Sequence, residues 1–517
     1  MNGHSQPVTG DWDSLPPELV AQIYMHLPLR ERKLGRKICK GWKRGLDTMV
    51  SKLRVGPHNR EPNVWNRQLL MMRRLQHLFP CLQEIDFDQG VGSDLLVRDP
   101  GLPHNLDIIP RVARIGVTSS RTALHLAAVH ALAARPEVAS FALSLPSPIT
   151  NADLCDLLAV LGPKLTSLEV QQAHELSSAA LKGLTASSGL GALSLEGIPR
   201  MGQEGWRALS SLTALTRLAV RSRGDNAGLA QISTLTRLQD LRLKVREIDA
   251  DGVAALQTLR DLRSLDLEVW VSPVRPRVIE ALLSFSRLEA VRLEAYSSLE
   301  TARCFCALRH LPLLQHLDLR LSGSSFALDD NLEALASLAA CSRLVSLSLA
   351  APAPALSALS ACSSIQKLRL SDASMLSNRI TGTELPRLPA LRHLNLLHCS
   401  AIMDAGLAAL AEQFPLLTSL QLKSAALSDT GLIATASLTC LERLDLVDCE
   451  SLKGEGLRLI LASLPNLHAV TITGNDAALA EARVITRTTS PHVEVAKGRY
   501  PFELESSLRP LQDRIYS

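Results

Sequence analysis

Aromatic side chains are scarce in this chain: Phe, Trp and Tyr make up 3% of its 517 residues. Irregular cores lean on large aromatics to fill their volume. With 46% hydrophobic residues, this core must instead be built mainly from Leu, Ala and Val on a regular lattice. No apolar run is long enough to span a bilayer. The opening "MNGHSQPVTGDWDS" lacks the basic and apolar regions of a secretory signal, and the final "DRIYS" lacks a lipidation or retention motif. Ten cysteines are present, none in CxxC spacing, and the CxC of Cys304 and Cys306 has no second half with His partners. A zinc or disulfide framework is therefore not expected; free thiols in a reducing compartment are, with a cytoplasmic and/or nuclear location. The net charge of +4 is too small to argue for nucleic acid along the whole chain. GxxxxGK[ST], HExxH and GxSxG are all missing, and no His falls in a metal-ligand spacing. The expectation is a non-catalytic protein without cofactor or metal.

What is present is a repeat. LxxLxL recurs from Leu238, Leu262, Leu314, Leu344, Leu391, Leu417 and Leu441, as in "LRHLNL" and "LERLDL". Weaker copies start at Leu82, Val112, Val138, Leu165, Leu190, Leu215, Leu288, Ile365 and Leu467. Alternation within LxL predicts a short strand with one buried face. After a turn, "DAGLAALA" (404–411), "DTGLIATA" (429–436) and "GEGLRLILA" (454–462) place Leu407 and Leu410, or Leu457, Ile460 and Leu461, at helical spacing. Asp or Gly ahead of these stripes suits a helix N-terminus. One coil is strand, turn, helix and return. A single coil cannot cover its own apolar face, so coils stack and bury it against their neighbours.

The copies resemble leucine-rich repeats, the best of them the cysteine-containing subclass, with Cys399 and Cys449 at the ninth position of "LRHLNLLHC" and "LERLDLVDC". That resemblance implies a curved α/β solenoid, with parallel strands inside and helices outside. A small apolar residue with a weak S–H donor suits the crowded turn, so both cysteines read as structural. Ala173, Ala373, Ala425 and Asn475 take that place elsewhere; Arg223, Arg246, Trp270 and Tyr296 break it. Irregular middle coils are expected there, the more so because "VSPVRPR" (271–277) holds two prolines that cannot continue a regular helix or strand.

Ahead of the repeats, "WDSLPPELVAQIYMHLPLRERKLGRKICKGWKRGLD" places Leu19, Ile23 and Leu27 on one helical stripe and Leu34, Ile38, Trp42 and Leu46 on a second. Two short helices make too small a core to stand alone. Leu15, Pro16, Glu18, Leu19, Ile23 and Leu27, followed by Ile38, Cys39, Lys40 and Trp42, resemble the F-box, with a departure at Arg32, where the family usually has an apolar residue. The resemblance implies docking to the adaptor of an SCF-type cullin–RING ubiquitin ligase through Leu15, Pro16, Leu19, Ile23, Leu27 and Ile38, with Trp42 packing the module. The other reading is a helical cap on a non-ligase scaffold or inhibitor, since a solenoid end needs closing. Eight Lys or Arg between Arg30 and Arg44 read as a solvated basic face, because no interleaved aromatics accompany them.

The expected order is a disordered start (1–10), an F-box (11–50), a linker that begins as a loop and ends as a helix (51–78), a repeat solenoid (79–475) and a C-terminal cap and tail (476–517), with "HVEVAKG" as a possible last coil. Residues between the strand leucines face the inner curve, where a protein substrate would lie. Third, fifth and seventh positions there cluster Arg217, Arg221, Arg242 and Lys244 beside Asp266 and Glu268. The cations are candidates for an acidic or phosphorylated segment; the alternative is charge pairing along a solvated face.

Overall fold

The computed structural model describes three short strands, residues 52–55, 84–87 and 114–118, and most of residues 139–497. The chain divides into two units, residues 1–222 and 223–517. The Leu15–Trp42 motif, including Leu15, Pro16, Leu19, Ile23, Leu27 and Ile38, lies outside the described residues.

In the first unit β1 (Lys52–Val55), β2 (Glu84–Phe87), β3 (Arg114–Thr118), β4 (Ser140–Leu145), β5 (Leu165–Val170), β6 (Ala192–Ile198) and β7 (Arg217–Ser222) pair in sequence order, every pair parallel. The sheet thus begins inside the stretch read as the loop-like start of a linker. Leu53 and Val55 alternate there, but two apolar residues are too short a pattern to announce a strand. Helix Asn151–Leu161 buries Leu154, Leu157, Leu158 and Leu161 on one stripe. Its start is fixed by a capping box: Thr150 Oγ1 accepts from the Asp153 amide (3.2 Å), and Asp153 accepts in return from the Thr150 amide (3.2 Å).

In the second unit the parallel series runs through β8 (Asp240–Val245), β9 (Ser264–Pro273), β10 (Ala290–Tyr296), β11 (His316–Ser322), β12 (Ser346–Ala351), β13 (Lys367–Asp372), β14 (His393–His398), β15 (Ser419–Lys423), β16 (Arg443–Val447), β17 (Ala469–Thr473) and β18 (Glu494–Lys497). Each strand from β8 to β17 opens two residues after the first apolar residue of its copy, and the three apolar residues of a copy sink together. Leu391, Leu394 and Leu396 are at most 1% exposed, as are Leu441, Leu444 and Leu446. Each such side chain contributes about 2 kcal/mol on burial. Helices Asp404–Gln413, Asp429–Ala434 and Glu455–Ser463 turn Leu407, Leu410, Leu432, Leu457, Ile460 and Leu461 into the same core. Each unit has the α/β architecture of a leucine-rich-repeat solenoid.

Two local expectations take a more specific form. Asp404 and Asp429 are the first residues of their helices, not the caps, which are Met403 and Ser428. Their carboxylates reach the following coil instead: Asp404 accepts from the Ser428 amide (2.9 Å), and Asp429 from the Lys453 amide (3.2 Å). The prolines of "VSPVRPR" fall at the ends of elements, as expected of residues that cannot continue a regular strand or helix. Pro273 closes β9 and Pro276 opens helix Pro276–Leu282, where the missing N–H is of no consequence. The irregularity there is a register shift between Glu294 and Tyr296 against β9. Arg223, Arg246, Ala373 and Ala425, and the side chains of Trp270 and Tyr296, lie outside the described residues.

Candidate binding surface

Strand residues between the leucines face away from the core and align in rows across each sheet. In the second unit the fifth positions form one continuous ladder. Arg242 stands beside Asp266, Asp266 beside Arg292, and Arg292 beside Asp318. Ser348, Arg369, Asn395, Gln421 and Asp445 continue it. Arg242 Nε lies 3.2 Å from Asp266 Oδ2, and Arg292 lies 3.7 Å from both Asp266 and Asp318. Asp266 is 1% exposed. Burial pushes its carboxyl above the usual carboxylate range, against the pull of Arg292, Arg242 and Lys244. Burial acts to lower Arg292 too, but Asp266, Asp318 and Glu294 outweigh it and hold the guanidinium above its ordinary value. Further along, Ser348 donates to Asp318 (2.7 Å), Asn395 to Gln421 (2.5 Å) and Gln421 to Asp445 (2.6 Å).

The candidate cations are divided between the two units. Arg217 is exposed and Arg221 half-buried on β7 of the first. In the second, Arg242 is held by Asp266, and Lys244 lies 2.5 Å from Glu268 with both side chains largely covered. An incoming anion at Arg242 or Lys244 therefore competes with carboxylates of the same sheet.

The open part of the second unit's strand face lies further on. A groove of about 620 Å³ is lined by residues of β10 to β16 together with Thr418, Glu442 and His468. Its third-position row reads His316, Ser346, Lys367, His393, Ser419 and Arg443 on six successive strands. Arg369 donates to His398 Nε2 (2.9 Å); a guanidinium only donates, so that ring nitrogen is the acceptor. Loss of hydration, then the charge of Lys367, holds His316 and His393 below the ordinary imidazole value; Glu289 and Glu442 respectively oppose this in part. The row was open to the same positional rule that singled out Arg242, since Lys367 is third in the copy from Ile365 and His393 third in the copy from Leu391. No local motif marks it; only the alignment of successive copies does.

The ninth-position cysteines are packed into the coil turns. Cys399 Sγ contacts the Leu370 carbonyl at 3.5 Å and Cys449 Sγ the Val447 carbonyl at 3.5 Å, both at most 1% exposed. Burial pushes the Cys449 thiol up to about 11. Asn475, in the same place one coil later, donates to the Cys449 carbonyl (2.8 Å). Among the described residues no group of His, Cys, Asp and Glu is placed to hold a metal ion, and no helix is long and apolar enough to cross a membrane.

No protein-family model matches the chain. It is similar to human F-box/LRR-repeat protein 12, at 25% identity over 294 residues, covering 54% of this chain and 86% of that protein. Solved structures similar to it include a leucine-rich-repeat protein of Leptospira interrogans (15% identity, 85% of this chain and 99% of that one, TM-score 0.40). A chain of the yeast Rad7 and Elc1 complex is another (15% identity, 85% and 94%, TM-score 0.42).

Proposed function

We propose that the chain is the substrate-receptor subunit of an SCF-type cullin–RING ubiquitin ligase. The observation that carries this reading is one chain in which Leu15-Pro16-Pro17-Glu18-Leu19, Ile23, Leu27 and Ile38-Cys39-Lys40 with Trp42 precede a long series of leucine-rich coils. Similarity to a protein named for both an F-box and leucine-rich repeats supports it. In this reading Leu15, Pro16, Leu19, Ile23, Leu27 and Ile38 contact the adaptor, and through it the cullin. The strand faces bind the protein to be ubiquitinated and degraded, with Arg217 and Arg221 on the first unit and Arg242 and Lys244 on the second as candidate contacts. The receptor holds its substrate close to chemistry performed by other subunits, raising its effective concentration there.

The test is capture of the adaptor and cullin by the full chain. Replacing Leu15, Leu19 and Ile23 with Ala removes both from the pull-down while the repeats stay folded. If the unaltered chain captures no adaptor, the N-terminal helices are a cap and the chain is a scaffold or inhibitor.

A further inference from the structure

The two rows of the second unit's strand face differ in one respect that decides what they can bind. The fifth-position ladder is largely self-paired: Asp266 and Asp318 lie against Arg292, and Asp445 accepts from Gln421, with a further bond from Arg443 of the third-position row (3.0 Å). The third-position row carries no carboxylate on six successive strands, from His316 on β11 to Arg443 on β16. Near its middle Lys367 has no ion-pair or hydrogen-bond partner among the described residues. Ser346 stands on one side of it and His393 on the other. Of the carboxylates that line the groove, Asp318 is already held by Ser348 and Arg292, and Glu442, just ahead of Arg443, acts on His393.

We propose that the row His316, Ser346, Lys367, His393, Ser419 and Arg443 binds an extended acidic segment of a partner protein, with the Lys367 ammonium as its anchor. Charge complementarity selects the occupant, because the row offers the Lys367 ammonium among successive donors and no anion of its own, while Arg443 at its end is already held by Asp445. Length selects an extended segment over a single anionic group. Strands lie ~4.8 Å apart, so the row runs ~24 Å, the reach of about seven extended residues. One phosphate would occupy one gap between strands and leave the others empty. The lowered imidazoles agree with this: after loss of hydration, the charge of Lys367 is felt at His316 and at His393, and Glu289 and Glu442 offset it only in part.

This inference rests on the strand face being the partner surface, but not on adaptor docking. The probe is a fluorescein-labelled peptide of alternating Glu and Ser, about twelve residues long so that it overreaches the row at ~3.3 Å per residue. Its binding to the full chain is read by anisotropy, beside an alternating Gln and Ser peptide and a Gln and Ser peptide with one phosphoserine. The acidic peptide binds and weakens with added salt; the neutral one does not bind. K367E lowers the affinity at least about tenfold and K367Q lowers it less, while K182E in the first unit leaves it unchanged. Thermal melts confirm that each variant is folded. Equal binding of the neutral peptide, full affinity in K367E, or preference for the single phosphoserine would overturn the assignment. So would a single-stranded oligonucleotide that displaces the peptide. A chain that binds the acidic peptide but captures no adaptor keeps this inference and loses the ligase reading; the reverse result does the opposite.

Discussion

Arg242 Nε stands 3.2 Å from the Asp266 carboxylate on an adjacent, in-register strand, and both side chains are nearly closed to solvent. Arg292 meets the same carboxylate from the other side. Buried Asp266 Oδ2 attracts Arg242 from one side and Arg292 from the other without an aligned hydrogen bond to either. Such a cluster costs desolvation and gives back Coulomb energy only while it is complete. Removing Asp266 alone leaves two guanidiniums facing each other, so D266A is expected to destabilise the second unit by about 3–5 kcal/mol in urea denaturation. Replacing Arg242, Asp266 and Arg292 together by Met, Leu and Met is expected to be neutral or stabilising. If D266A unfolds with the unaltered chain, the ladder is not a stabilising unit.

Glycine sets how closely the coils stack. Gly406, Gly431 and Gly456 each occupy the first turn of a helix. A Cβ on Gly406 would fall 1.8 Å from the Thr381 carbonyl oxygen, and one on Gly431 2.7 Å from Asp404 Cα. Backbone stands in the way at both places and cannot swing aside. G406A and G431A are expected to lower stability by about 1–3 kcal/mol through overpacking. G189A is the control: nothing lies within 4 Å of its Cβ, so it should be neutral or gain a few tenths of a kcal/mol by restricting the unfolded chain. Equal melting of G406A and G189A would mean that the coils can spread at no cost.

The strand leucines and the helix stripes were legible in the sequence because their periods are short. Leu391, Leu394 and Leu396 reveal a strand locally, and Leu457, Ile460 and Leu461 a helix. The role of Asp404 was not legible. Asp ahead of an apolar stripe reads as a cap for its own helix, yet this one serves Ser428, 24 residues on. The charge pairs were half legible. Spacing placed Arg242 opposite Asp266, but their burial depends on neighbouring long side chains that periodicity does not weigh. Lys367 and His393 were hidden for a related reason. Neither belongs to a motif, and they become a site only when the register between coils is known.

Cysteine reactivity should follow burial. Cys155 is exposed, whereas Cys341, Cys362, Cys399 and Cys449 are buried. Burial pushes the Cys362 and Cys449 thiols up to about 11, which leaves very little thiolate at neutral pH. Iodoacetamide on the native chain, followed by mass spectrometry, should label Cys155 quickly and Cys362 and Cys449 only after denaturation. Rapid native labelling of Cys449 would show that the coil turns open readily.

Acidification should weaken the second unit through His316 and His393. Both lie below their ordinary value of 6.5 in the fold, by loss of hydration and by the Lys367 charge; Glu289 opposes the shift at His316, and Glu442 opposes it at His393, where Arg392 adds to it. Above pH 6.5 folded and unfolded chains both carry neutral imidazoles, and the stability is fully present. As the pH falls below 6.5 the unfolded chain takes up protons first, so stability declines until the folded rings protonate as well. Urea midpoints at neutral pH and one unit below 6.5 measure this. The double variant H316Q/H393Q should show a smaller loss over that interval than the unaltered chain, and K367Q should do the same by letting the folded rings hold their protons. An identical loss in all three chains would place the pH response in other groups and remove Lys367 as the source of the field across the groove.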